Sequence, residues 1–458
     1  MSEASNSSNP LAPTEPLAPT EPTELTANVA PASTSGRSRL KITDVVLTPI
    51  AFRDPPLLNS AGVHEPWALR TIVEIHTDEG ICGIGETYGD IGHLERLRTV
   101  APALVGLDAY ELGPMHQRVA AALRGQTGDD KHGLTGKISA PGTVDRVYSA
   151  FEVACLDIQG RAVGRPVVDL LGGAVRDAVP YSAYLFYKWA GHPGTEPDQW
   201  GEALDPVGVV SQARQLIDQY GFGSIKLKGG VFPPEQEVDA VRALRDAFPN
   251  TPLRLDPNAA WTPGTSLKVA EDLDGVLEYL EDPTPEIAGM AEVAAKAPMP
   301  LATNMCVVSF EHVAPSVAVN AVQVILSDHH YWGGLRRSAH LASICEAFDI
   351  GLSMHSNSHL GISLAAMTHL AAATPNLNYA CDTHYPWNAA DDVVVPGVLS
   401  FVDGSVAVPA GPGLGIELDR DVLGRLAENY RTCGLVQRDD TGYMRKFEPT
   451  YERKRPRW

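Results

Sequence analysis

The chain has no Cys-x-x-Cys pair, no apolar run of the ~18 residues that a membrane span needs, and no basic start leading into an apolar core. It also lacks an excess of positive charge. Each absence excludes something. The six cysteines (Cys82, Cys155, Cys306, Cys345, Cys381 and Cys433) are scattered through apolar contexts and read as reduced and mostly buried, in a cytoplasmic protein. No secretory signal and no membrane partner are expected. With 36 Lys and Arg against 56 Asp and Glu, the net charge is -20, which argues against nucleic acid and anionic lipid. An anionic small molecule stays possible, because a local cationic pocket can outweigh the overall field.

What is present is more specific. Length, 458 residues, exceeds one ordinary core and suits a barrel plus a second domain. At 224–230 the chain reads Ser-Ile-Lys-Leu-Lys-Gly-Gly. Residues two apart on a strand share a face, so Lys226 and Lys228 leave one side of one strand end. Inside a barrel, such crowding is expected to lower lysine pKa values and make a base. On its own, a Lys-x-Lys pair is more often two solvated lysines.

The sequence that follows decides between the two. A short apolar run, a polar residue and a helical segment recur, with the polar positions at Asp256, Glu281, Asn304, Asp328 and His355. Counted from Lys228, the steps are 28, 25, 23, 24 and 27 residues. That is close to one strand, one crossover helix and two loops, ~30 residues. The polar residues fall at strand C-terminal ends, the face where parallel β/α barrels build their sites.

In chain order, residues 1–37 carry Leu-Ala-Pro-Thr-Glu-Pro twice in tandem and read as a disordered tail. Lys41–Phe52, Leu69–Thr77 and Ile81–Glu86 read as an antiparallel meander, followed by helices at 94–104, 115–123 and 144–163 with a loop at 125–137. Residues 38–175 are thus expected to form an α+β capping domain and 176–400 the barrel, with 401–458 packing back on the cap. Residues 179–186 are expected as the first barrel strand. Helices are expected at 207–220, 234–247, 265–273, 286–296, 335–348 and 359–373.

Asp256, Glu281 and Asn304 offer only oxygen ligands, a set suited to a hard cation such as Mg²⁺. Asp328 and His355 lie on the next two strand ends and can pair, the carboxylate fixing one imidazole tautomer. A metal, a lysine on one face and a histidine on the other suit removal of a proton α to a carboxylate, with loss of a β-hydroxyl as water.

At this point the chain resembles the enolase superfamily, and within it the glucarate dehydratase group. The phrases that carry the likeness include Leu-Asn-Ser-Ala-Gly-Val-His (58–64), Gly-Ile-Gly-Glu (83–86), Tyr-Leu-Phe-Tyr (184–187) and Lys-Leu-Lys-Gly-Gly (226–230). Further along are Asp-Pro-Asn (256–258), Glu-Asp-Pro (281–283), Ala-Thr-Asn-Met (302–305), His-Ser-Asn-Ser-His (355–359), Asp-Thr-His (382–384) and Gly-Leu-Val-Gln-Arg-Asp-Asp (434–440). The resemblance implies an α/β fold, a modified TIM barrel (β/α)₇β whose α+β capping domain is built from N- and C-terminal segments. It implies Mg²⁺ on Asp256, Glu281 and Asn304, Lys228 as one base with Lys226 beside it, and the His355–Asp328 dyad opposite. It implies substrate contacts at His64, Thr143, Tyr187, Asn258, Ser356, Asn357, His384 and Arg438. The group dehydrates D-glucarate, or its C5 epimer L-idarate, to 5-keto-4-deoxy-glucarate, and its members tend to form homo-oligomers.

Three departures from the group stand out. The interval from Glu281 to Asn304 is short, Lys188 follows Tyr187 where a small apolar residue is expected, and Tyr385-Pro386-Trp387-Asn388 replaces the group's wording. Competing readings are a dehydratase of another acid sugar such as galactarate, a Schiff-base aldolase and a non-catalytic homologue. The oxygen triad speaks against the aldolase, and the complete set of bases and ligands against the non-catalytic homologue.

Overall fold

A computed structural model describes residues 40–130 and 136–458. The expected tail, 1–37, lies outside the described residues, as does part of the expected 125–137 loop. The N-terminal sheet is antiparallel and three-stranded: β1 (Ile42–Arg53), β2 (Trp67–Thr77) and β3 (Cys82–Tyr88), with β2 central. Helix α1 (Ala140–Val163) lies across β3. The approach is close enough to need glycine, since a Cβ at Gly83 would fall 2.1 Å from the Ala154 carbonyl oxygen and one at Gly85 2.3 Å from that of Ala150. Ser139 caps α1 by accepting from the Gly142 amide, and left-handed Gly164 ends it.

A seven-stranded parallel sheet follows in strict chain order: β4 (Ala183–Phe186), β5 (Ile225–Lys228), β6 (Leu253–Asp256), β7 (Tyr279–Glu281), β8 (Leu301–Thr303), β9 (Val324–Ser327) and β10 (Gly351–Met354). Every residue of β4–β9 is buried, as expected for strands covered on both faces. Residues 377–382 complete the ring. The Asn378 and Asp382 amides donate to Leu352 and Met354 of β10, while Cys381 exchanges backbone hydrogen bonds with Pro180 and Ser182 ahead of β4. This is the (β/α)₇β arrangement, its eighth position held by an irregular segment.

One expectation needs correction. Residues 179–186 are not one strand: Ala178–Pro180 pairs with Ser405–Ala407 in another sheet, and only Ala183–Phe186 joins the barrel. Pro180, which has no N–H to donate to a ladder, stands at the break. The helical segment that the repeat implies after Asn304, for which no bounds were expected, is α2 (Phe310–Ala318), and it carries Pro315 in its interior, where a proline ordinarily argues against a helix.

The remaining labelled helices are α3 (Leu335–Ala347), α4 (Gly361–Ala372) and α5 (Arg420–Thr432). Helix α4 is buried on every side between the barrel and β3. Helix α5 packs on β1, where Arg420 pairs with Glu74 of β2 at 2.6 Å. No helix among the described residues is long and apolar enough to cross a membrane.

Candidate active site

The barrel strands deliver the polar residues to one mouth. Lys226 and Lys228 both point inward from β5. Lys226 Nζ donates to Glu281 Oε1 and Asp382 Oδ2, each at 2.7 Å, and lies 3.4 Å from Asp256 Oδ2. Lys228 Nζ donates to Asp256 Oδ2 at 2.6 Å. The expected lowering is reversed at Lys226. Burial disfavours its charge, but Asp382 and Glu281 outweigh burial and hold it well above the ordinary lysine value.

Backbone geometry around the lysines is tight. A Cβ on Gly230, at φ 73°, would lie 2.2 Å from the Pro257 carbonyl oxygen, so the turn after Lys228 requires glycine. Asn258 and Asp282 take left-handed φ values of 52° and 38° at neighbouring strand ends. Such strain persists where surroundings over-determine it. Here Asp256 Oδ1 accepts from both the amide and the side chain of Asn258, at 3.0 and 2.9 Å. Asp282 accepts from Thr303 Oγ1 at 2.5 Å and the Asn304 amide at 2.8 Å, which fixes Asn304. Burial, and then Asp256, pushes Asp282 up to about 7. Burial and Asp256 also raise Glu281 well above the carboxylate range.

Opposite the lysines, Asp328 Oδ2 accepts from His355 Nδ1 at 3.0 Å. That leaves Nε2 of His355 for the pocket, while the Tyr331 ring stacks on the imidazole at 5.9 Å. Burial resists the Asp328 charge, yet His330 and its neighbours hold it well below the ordinary value.

The outer wall comes from the chain ends. A short hairpin, Leu58–Asn59 with Gly62–Val63, leads into His64, whose Nδ1 is 3.1 Å from Asp54 Oδ2. Arg438 pairs with the same Asp54 oxygen at 2.8 Å and with Asp440 at 2.7 Å. Burial raises Asp54, but His64 and Arg438 overcome it and set the group at about 2. His384 donates its amide to Ser356 Oγ at 3.1 Å, and burial keeps its ring well below the ordinary histidine value.

One pocket is lined by Lys228, Asn258, Asn304, His355, Ser356, Asn357, His384, His64 and Arg438, together with Asn59, Tyr184, Phe186 and Asp440. Lys226, Asp256, Glu281 and Asp328 are not part of that lining and connect to it through the contacts above. Two expected contacts are not brought there. Tyr187 is buried against Phe232 at 4.8 Å, and Thr143 Oγ1 binds the Ser139 carbonyl and the Gly128 amide at the start of α1. The reason for Tyr187 is register. Tyr184 and Phe186 sit beside Lys226 and Lys228 in the β4–β5 ladder and share their face, so Tyr187 turns away.

The two-residue period that selects the lysines also selects Tyr184 and Phe186. Asp382, absent from the expected set, was visible in the Asp-Thr-His phrase. Lys188 donates to the Trp189 and Gly201 carbonyls at 2.7 and 2.8 Å and pairs with Asp198, pinning the following loop away from the pocket. Trp387, one of the departures, donates to the Tyr184 carbonyl at 3.0 Å and buttresses β4.

Two family models match in tandem. The mandelate racemase / muconate lactonizing enzyme N-terminal domain matches residues 42–172, and the enolase C-terminal domain-like family matches 208–422. The chain belongs to the enolase superfamily. A curated relative, a probable glucarate dehydratase of Streptomyces coelicolor, is 53% identical over 434 residues, 92% of this chain and 99% of that protein. With family and relative together, the chain is an enzyme of the hydro-lyase type. Among solved structures, an enolase from Thermobispora bispora complexed with magnesium and formate is 66% identical, with TM-score 0.90, covering 92% of this chain and 100% of that one. One from Pseudomonas fluorescens with bound magnesium, potassium and tartrate is 52% identical, with TM-score 0.89 and the same two coverages.

Proposed function

We propose that this superfamily member dehydrates an aldarate, D-glucarate and its C5 epimer L-idarate, to 5-keto-4-deoxy-glucarate with Mg²⁺. The observation that carries the reading is the two-sided mouth: a lysine pair among carboxylates faces a carboxylate-held imidazole across one polar pocket. His64 and Arg438 supply hydrogen-bond donors and positive charge at its outer wall, where the second carboxylate of a diacid would lie.

The residues fit a divalent cation. Asp256, Glu281 and Asp382 share two ammonium groups, with the Arg254 guanidinium 3.9 Å from Asp382 and Asp282 behind them as a fourth acid. The buried Asn304 side-chain nitrogen has no hydrogen-bond partner among the described residues. An amide that turns its oxygen into this site would join Asp256 and Glu281 as an all-oxygen set. A bound Mg²⁺ would supply positive charge against the negative charge that develops on the substrate carboxylate.

In this reading residues 176–400 supply the acid–base groups, and the cap segments 38–175 and 401–458 supply His64 and Arg438. Lys228 takes the C5 proton from one face, and His355 Nε2 takes it from the other. The electrons of the broken C–H bond form the C4–C5 double bond while the C4–O bond breaks. Protonated His355 gives its proton to the departing hydroxyl, which leaves as water, and the resulting enol becomes the ketone. Asp328 stabilises the imidazolium during that step. The test is a panel of aldarates with purified protein and Mg²⁺, with and without chelator, followed as keto-acid formation. Chelator-sensitive turnover of D-glucarate is expected. Turnover of galactarate alone would replace the substrate, and turnover of none would favour a non-catalytic homologue.

A further inference from the structure

His330 is a fully buried histidine that neither the metal set nor the proton-transfer steps use. It grips the other oxygen of the dyad carboxylate. Asp328 Oδ1 accepts from the His330 amide at 2.9 Å and from its ring Nδ1 at 2.8 Å. The far nitrogen, Nε2, lies 3.1 Å from the Glu86 carbonyl oxygen, 3.2 Å from Arg70 Nη2 and 3.2 Å from Ser363 Oγ. A carboxylate can only accept, so the ring carries a proton on Nδ1, pointed at Asp328. Arg70 is held in turn by Glu86 at 2.8 Å, and Glu86 also accepts from the amides of Leu360 and Ser363 at the start of α4. Glu86 closes the Gly-Ile-Gly-Glu phrase, which the catalytic reading leaves unexplained.

We propose that His330 is a positioning residue for His355, tying the dyad carboxylate to the N-terminal sheet through Arg70 and Glu86. A carboxylate held at Oδ1 presents Oδ2 at a fixed angle. His355 then keeps its proton on Nδ1 and its lone pair on Nε2, towards the substrate. With Oδ1 released, Asp328 can rotate and His355 loses both tautomer and aim. The inference rests on the dehydratase reading above.

The test separates the two ends of the His330 ring. Asparagine places an amide nitrogen near the position of Nδ1, and glutamine places one near Nε2. The readout is exchange of the C5 proton with D₂O by the full-length Mg²⁺-loaded enzyme, for D-glucarate and L-idarate separately. These epimers carry that proton on opposite faces, and Lys228→Met identifies the one that depends on His355. His330→Gln is expected to slow exchange of the His355-dependent epimer about 10- to 100-fold, as loss of an outer partner of a fixed imidazole does. The Lys228-dependent epimer keeps its rate, and His330→Asn stays close to wild type for both.

Equal rates in the Asn and Gln variants, or equal losses for both epimers, would overturn the proposal. Should His330→Gln fail to fold, Ser363→Ala removes one polar neighbour of Nε2 and is expected to shift the ratio of the two exchange rates in the same direction. An unchanged ratio would overturn it. Wild-type enzyme that exchanges neither epimer would overturn the dehydratase reading, and this inference with it.

Discussion

The two sides of the mouth are held in different ways. The lysine side is held by the barrel itself: Lys226, Lys228, Asp256 and Glu281 stand on consecutive strands β5–β7, Asn304 follows β8, and their partners are chiefly one another, with Asp382 and Asp282 added. The histidine side is held from outside. Asp328 and His355 follow β9 and β10, but their support runs through His330 to Arg70 on β2 and Glu86 on β3. Charge differs as well. The lysine side packs acids together until burial and Asp256 push Glu281 and Asp282 up, whereas histidines hold Asp328 down. In the proposed reading, one side receives a cation, and the other receives and returns a proton.

The largest effect should come from the lysine side. Asp256→Ala removes both a ligand of the proposed cation and the Lys228 anchor. Dehydration should fall at least about 10³-fold, the scale of losing a principal stabiliser of developing negative charge. Mg²⁺ titration should no longer restore it. Activity of this variant in chelator would break the comparison, because the lysine side would then not be a cation site.

The histidine side should fail selectively. His355→Asn should lower dehydration of glucarate about 10²- to 10⁴-fold, the range for a general acid–base group. C5 exchange from the Lys228 face should survive. Undiminished keto-acid formation would remove His355 from the reaction. Loss of exchange from both faces would mean that the two sides are not independent.

A smaller contrast concerns register. Tyr187→Phe removes a buried hydroxyl with no hydrogen-bond partner among the described residues, so KM for glucarate should not move, and stability should stay within about 1 kcal/mol. A several-fold rise in KM would place Tyr187 in the pocket after all.

The smallest effect is on pH. Asp54 is set at about 2 in the folded chain against an ordinary 3.8. Between those values the unfolded chain binds more protons, so this contribution is present above about pH 4 and is lost as pH falls through about 2. It amounts to up to about 2 kcal/mol. The stability difference between wild type and Asp54→Asn, read from melting curves, should therefore shrink as pH falls from 4 to 2. A constant difference would mean that His64 and Arg438 do not hold the Asp54 charge.

The lysine side was legible in the sequence because it is local and periodic. One strand end per crossover unit places Asp256, Glu281 and Asn304 together without knowledge of any other contact. Tyr184 and Phe186 were equally legible from the two-residue period, although the resemblance pointed one position further, to Tyr187. The support of the histidine side was not legible. His330 lies two residues past Asp328, but its partners Arg70 and Glu86 are more than 240 residues earlier, and no spacing rule joins them. Thr143 misled for a related reason: its hydroxyl donates to the Ser139 carbonyl and accepts from the Gly128 amide, tying the segment ahead of α1 to the helix, which residue type alone does not show. In α2, tertiary packing overrides the local signal of Pro315, whereas Pro180 is itself the local sign that 179–186 is not one strand.

The central claim is that one substrate carbon is flanked by two independent bases. It is tested most directly by incubating the wild-type enzyme with Mg²⁺ in D₂O and following the C5 proton of D-glucarate and of L-idarate by NMR. The account predicts that both epimers exchange and that chelator stops both. Exchange of one epimer only, or of either in the presence of chelator, would contradict it.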